Sequence, residues 1–119
     1  MDVLKAAQAH FSGLKPGAIT VPEWGNAKLS WSPMTLAERA QIYAPLDNGE
    51  PASGSTIFVR VLVAKARTKD GKPAFSKMDE NKLLHGVDPN VVARVARAIL
   101  DHAGDTADNA GSTETAKNG

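Results

Sequence analysis

Residues 57–67 read IFVRVLVAKAR, and residues 67–81 read RTKDGKPAFSKMDEN. The first stretch is the densest apolar run in the chain, and whether it forms a helix or a strand decides the fold. Its β-branched residues favour strand by propensity. Against that, Ile57, Val61 and Ala64, together with Phe58, Leu62 and Ala66, follow helical spacing, and the run is long for a strand. Helix is the favoured reading, with strand kept open. Arg60 falls inside the apolar run either way.

Downstream, the backbone signals are sharper. Asp70-Gly71 is a turn dipeptide, and Pro73 excludes helix from its neighbourhood. Phe75 is one large apolar residue able to pin that turn to a core. Ser76 to Asp79 has the form of a capping box that opens a short helix over 78–84, with Leu83 and Leu84 turned inward and Gly86 ending it. Asp88-Pro89 is a second start signal, Asp as N-cap and Pro at the first helical position. Val91, Val92, Val95, Ala96, Ile99, Leu100 and Ala103 then make a wide apolar stripe, with Asn90, Arg94, Arg97 and Asp101 on the polar face and Gly104 as the cap. Residues 105–119, DTADNAGSTETAKNG, hold no large apolar side chain and read as a disordered tail.

Upstream, residues 46–56 (LDNGEPASGST) are rich in loop formers and divide an N-terminal α/β part from a helical part. Before them, Ser32-Pro33 or Thr35 starts a helix. Thr35 and Glu38 form a capping box, Leu36, Ala40 and Tyr43 are placed inward, and Glu38, Arg39 and Gln41 outward. Residues 18–31 read as a β-hairpin turning at Trp24-Gly25-Asn26, with Val21 against Leu29 or Trp24 against Trp31 across the strands. Val3, Leu4, Ala7 and Phe11 share one face of a short opening helix.

At 119 residues the chain has room for one modest core. The expected division is a single domain over 1–103 and a tail over 104–119. The net charge of +1 conceals an uneven distribution: residues 51–100 hold nine Lys/Arg against four Asp/Glu, while 101–119 hold one against four. A basic second half is compatible with nucleic acid or an acidic protein, and also with a plain solvated helix face. Cysteine is absent, which excludes disulfides and thiolate metal sites. The N-terminus carries no signal-peptide pattern, and the longest apolar run is half of what a membrane span needs. The reading is a soluble, cytoplasmic protein.

No catalytic pattern is visible. His10, His85 and His102 are scattered, Asp79-Glu80 sits where helix first turns favour acids, and no phosphate loop, dinucleotide fingerprint or nucleophile elbow occurs. No cofactor is expected. Arg94 and Arg97, with Lys65, Arg67, Lys69 and Lys72, are a conceivable phosphate-contacting patch. Yet the last helix lacks the long polar side chains that read base edges. Trp24 and Trp31 either close the hairpin or anchor an interface. Trp24, Trp31, Arg94 and Arg97 are the partner-binding candidates.

The order of these segments resembles the tail assembly chaperones of long-tailed phages and prophages (siphoviruses). The motifs carrying the resemblance are Val21-Pro22-Glu23-Trp24-Gly25, Met34-Thr35-Leu36-Ala37-Glu38-Arg39, the apolar helix over 61–66, Asp70-Gly71-Lys72-Pro73 with Phe75, the short acidic helix and the final amphipathic one. They cover residues 1–103. The fold class is accordingly α+β: a short N-terminal helix and a β-hairpin, then a mainly helical part of about four helices. Membership would imply a non-enzymatic protein of the host cytoplasm that binds the tape-measure protein, helps tail tube protein polymerise, self-associates, and in many cases exists also in a frameshifted longer form. The alternatives are a small nucleic-acid-binding regulator and a structural component of the tail. The family supplies no site motif to transfer.

Overall fold

The computed structural model describes residues 2–102. The tail expected from 104 onward lies outside the described residues. In order, the chain forms α1 (Val3–Ser12), β1 (Gly17–Val21), β2 (Ala27–Trp31), α2 (Leu36–Ile42), α3 (Gly54–Lys65), α4 (Glu80–His85) and α5 (Pro89–Asp101). This is the α+β arrangement expected, with four helices after the hairpin.

The ambiguous stretch is helical. Ser53 caps α3 by accepting the Thr56 N–H at 3.2 Å, so the helix starts in what reads as loop, three residues before the apolar run. Tertiary packing decides against strand: α3 is flanked by α2, α4 and α5, and it buries Val59, Val61 and Leu62. Each fully buried aliphatic side chain contributes about 1.5–3 kcal/mol, whereas the helix penalty of a β-branched residue is below ~0.7 kcal/mol.

Two basic residues of α3 hold α2 in place. Lys65 is 3% exposed, and its ammonium donates to Glu38 Oε1 (2.9 Å), Ser32 Oγ (3.0 Å) and the Pro33 carbonyl (3.4 Å). Arg60 donates through Nη1 to the carbonyls of Ile42 (3.0 Å) and Ala44 (2.6 Å), satisfying acceptors left open at the end of α2. The Thr35–Glu38 capping box forms as expected. The inward face of α2 is different from the one expected: Leu36 is 84% exposed and Tyr43 and Ala40 are exposed, while Ile42 is buried and Glu38 is turned toward α3. The buried ammonium needs a carboxylate, and Glu38 with Ile42 one turn later defines the face that supplies it.

The hairpin pairs Gly17 with Trp31, Ile19 with Leu29 and Val21 with Ala27, so neither expected cross-strand pair is in register. Gly25 and Asn26 take the turn at φ 67° and 58°. Trp31 lies across Gly17, where an added Cβ would overlap the indole. The segment after α3 is more than a joint. Ser30 and Arg67 exchange both backbone hydrogen bonds (2.9 and 2.8 Å), Ala74 N–H donates to Ala66 C=O, and Thr68 N–H to Lys72 C=O (2.8 Å). Residues 66–74 thus form an arm that returns on itself at Asp70-Gly71, Gly71 having φ 81°, and that takes part of the outer edge of β2. The hairpin and the helices share one core, in which Val21, Leu29 and Trp31 meet Leu62, Val95 and Ile99. The loop over 46–56 therefore does not separate two packing units. The expected stripe on α5 is buried, from Val91 to Ile99. The opening helix forms, capped by Asp2, but none of its residues is buried: Val3, Leu4 and Phe11 are 74%, 66% and 40% exposed.

Removing Glu38 strands a buried ammonium, whereas removing Lys65 leaves a carboxylate that is 35% exposed and can hydrate. Glu38→Ala should therefore lose about 2 kcal/mol in urea denaturation and Lys65→Met about 1 kcal/mol or less; equal losses would contradict this asymmetry. Gly17→Ala should lose about 1–3 kcal/mol by forcing the Trp31 indole out of its place, read by the same denaturation with Trp fluorescence.

Candidate partner-binding surface

The candidate surface is built around Leu83 and Val87, at the α4–α5 junction. Gly86 follows α4, and Asp88 restarts the chain by accepting the Asn90 N–H at 2.9 Å. Two hollows share Leu83 and Val87 as a wall, the first mainly apolar and the second mixed, with Ser55 and His85 also lining it. The first, about 370 Å³, is bounded by Trp24, Leu29, Ala74 and Phe75. Trp24 comes from the 3-10 turn Pro22–Trp24, Phe75 from the end of the arm, and their rings meet edge to face at 6.0 Å. The second, about 260 Å³, is bounded by Phe58 and Val59 of α3, Leu84 of α4 and Val92 of α5. Leu84, expected to point inward, is 45% exposed at its lip.

A third cleft, about 390 Å³, adjoins the first hollow and shares Ala27, Leu29 and Thr68 with it. Its rim is polar, with Lys28, Lys69 and Asp70. Because Ser30 turns its peptide groups toward Arg67, those of Lys28, two residues away on the same strand, face this cleft.

The four residues singled out from sequence separate. Trp24 is half-buried and lines the first hollow. Trp31 is 4% exposed and belongs to the core, edge-on to His102, whose Nε2 donates to the Lys15 carbonyl at 2.9 Å. Arg94 makes a bidentate pair with Glu23 at 2.9 and 2.5 Å. Arg97 stands over the Phe58 ring at 5.4 Å, a cation–π contact with a residue that lines the second hollow. With Lys65 buried in its ion pair and Arg94 paired, the six-residue phosphate patch conceived from sequence is not assembled. The sequence flagged Phe75 as an anchor, but Phe58, Leu83 and Val87 gave no sign of acting together, because they converge only through helix packing.

Two carboxyls are shifted by structural partners, Glu23 beside the hairpin turn and Glu38 at the contact of α2 with α3. The Arg94 guanidinium, then the residue's own backbone N–H, hold the Glu23 carboxyl at about 2, far below its ordinary 4.5. Burial pushes Glu38 up, but the Thr35 N–H and the Lys65 ammonium outweigh it, so that carboxyl too lies below its ordinary value. Among the described residues no group of three or more His, Asp or Glu side chains is placed to hold a metal ion, and no helix is long and apolar enough to cross a membrane. The arrangement offers a mainly apolar hollow that adjoins a mixed one and a cleft with a charged rim, which suits binding an apolar segment of another chain.

Comparison with solved structures gives a likeness to the tail assembly chaperone of bacteriophage HK97, with a TM-score of 0.54 and 19% identity, over 75% of this chain and 81% of that one. No family model matches the sequence. No curated protein matches it. At this identity the likeness is one of fold, and it agrees with the resemblance read from the order of motifs.

The Glu23 geometry has a pH signature. A depressed carboxyl stabilises the fold above its ordinary value near 4.5, and that contribution is lost as pH falls toward about 2. NMR titration of the Glu23 side chain should give a midpoint near 2 in the wild type and a return to the ordinary range in Arg94→Ala. An unchanged midpoint in the variant would contradict the assignment of the shift to Arg94.

Proposed function

We propose that this protein is a non-enzymatic tail assembly chaperone, whose client docks on the hollows around Leu83 and Val87. The fold likeness to the HK97 tail assembly chaperone is the observation that carries the proposal. The site supports binding over catalysis, since the hollow under Trp24 and Phe75 is mainly aliphatic and aromatic and Arg94 is committed to Glu23. The clients are the tape-measure protein and the tail tube protein, met in the host cytoplasm. Tape-measure protein is long and helical, and its apolar stripes invite aggregation until tail tube protein encloses it.

The mode of recognition is a groove rather than an added strand. The outer edge of β2 is taken by Arg67 at Ser30, and the outer edge of β1 presents only Ala18 and Thr20 between Pro16 and Pro22. An apolar hollow closed by Trp24 and Phe75 is the larger handle, and aromatic side chains of this kind are common interface anchors.

Co-expression with tape-measure and tail tube proteins should yield a complex that co-purifies. Val87→Asp and Leu84→Asp should each weaken it roughly tenfold or more by placing a charge in the apolar contact. Leu36→Asp, on the exposed face of α2, should leave the complex intact. No complex with either tail protein would sink the proposal, as would finding the protein as a stoichiometric part of finished particles.

A further inference from the structure

The backbone ladder between β2 and the arm stops after one pair. Ser30 and Arg67 exchange both hydrogen bonds, and an antiparallel ladder continued past Leu29 and Thr68 would next hydrogen-bond Lys28 to Lys69. Two ammonium groups directly opposite one another repel. At that point the arm turns away instead, Thr68 N–H bonding to Lys72 C=O, and a cleft of about 390 Å³ opens with Lys28, Lys69 and one carboxylate, Asp70, on its rim, a net positive charge. Both lysines are exposed, as are Arg67 and Lys72 on the same arm. Among the described residues the ion pairs are Lys65–Glu38 and Arg94–Glu23, so none of these four cations is paired with a carboxylate. The apolar hollow of Trp24, Phe75, Leu83 and Val87 begins where the cleft ends, with Leu29 and Thr68 in both walls.

We infer that the cleft and the hollow are two halves of one recognition site, and that its occupant is a client segment in which an apolar side chain is flanked by Asp or Glu. The apolar side chain fills the hollow, and the carboxylate sits between Lys28 and Lys69, relieving their repulsion and meeting the open N–H of Lys28. The inference rests on the chaperone reading for the identity of the client, and it adds the charge that the client must carry. The positive excess in residues 51–100, which composition left without a purpose, is on this view partly a selectivity device.

The test uses the full chain and two synthetic peptides with the same Leu and Phe positions, one flanked by Glu and one by Lys, titrated against Trp24 fluorescence. The Glu peptide should bind roughly tenfold or more tightly than the Lys peptide, two charge contacts accounting for that ratio. The preference should fall with added salt. In Lys28→Glu the new carboxylate should pair with Lys69, raising the thermal midpoint slightly and removing the preference. Equal binding of both peptides, or an unchanged preference in Lys28→Glu and Lys69→Ala, overturns the inference. A tail-protein complex unaffected by these two variants also overturns it, while leaving the chaperone reading standing. A charge preference without any tail-protein complex does the reverse. Dimers that dissociate on Phe11→Ser, with Trp24 shielded only in the dimer, would assign the hollow to α1 of a second copy and likewise overturn it.

Discussion

A buried ammonium has to be matched, and in this protein the matching of Lys65 organises the chain. Its stem lies within the helical core, and its charge reaches Glu38, Ser32 and the Pro33 carbonyl. Such a group is costly unless every donor finds an acceptor. That requirement selects which face of α2 turns inward, places the 32–38 segment beside the end of α3, and leaves Leu36 in solvent. Arg60, little more than a turn earlier, fastens the other end of α2 through two carbonyls. α2 has only seven residues and would not persist alone; it exists because α3 holds both its ends.

The same helix directs the segment after it. Lys65 ends α3, Ala66 is extended and buried, and Arg67 enters the edge of β2. The arm therefore begins within hydrogen-bonding reach of the hairpin, and its return carries Phe75 to Trp24. The candidate surface is a by-product of this path. Hairpin turn, arm, α4 and the start of α5 are brought around Leu83 and Val87 by packing on one core, and the hollows are the places where these elements do not fully interlock. A binding surface of this origin needs no convergent catalytic groups. It is consistent with a fold shared with a tail assembly chaperone at 19% identity, since packing constraints tolerate wide change in sequence.

The N-terminal helix stands apart from that economy. It is well capped and amphipathic, yet it buries nothing. Residues 13–16 lead it away from the hairpin, with the Lys15 carbonyl tied to His102 at the end of α5. Its stripe of Val3, Leu4 and Phe11 is the feature most clearly left without a partner among the described residues.

The local features of this chain are written in its sequence. The caps at Thr35, Ser76 and Asp88, the turn at Asp70-Gly71, the hairpin and the stripe of α5 all depend on residues within a few positions of one another, and each is legible as written. Part of the candidate site was legible for the same reason: Trp24 and Phe75 are large apolar residues beside turns. The rest is settled only by the assembled fold. Helix over strand at 57–65 depended on being surrounded by three other helices, because propensity and spacing pointed in opposite directions. The inward face of α2 depended on a lysine 27 residues away. The separation of Trp31 into the core from Trp24 at the surface depended on strand register, and the neutralising of Arg94 depended on a glutamate 71 residues distant. Lys65 with Glu38, Ser30 with Arg67 and Arg94 with Glu23 are satisfied across the chain, and no short window of sequence contains both partners of any of them.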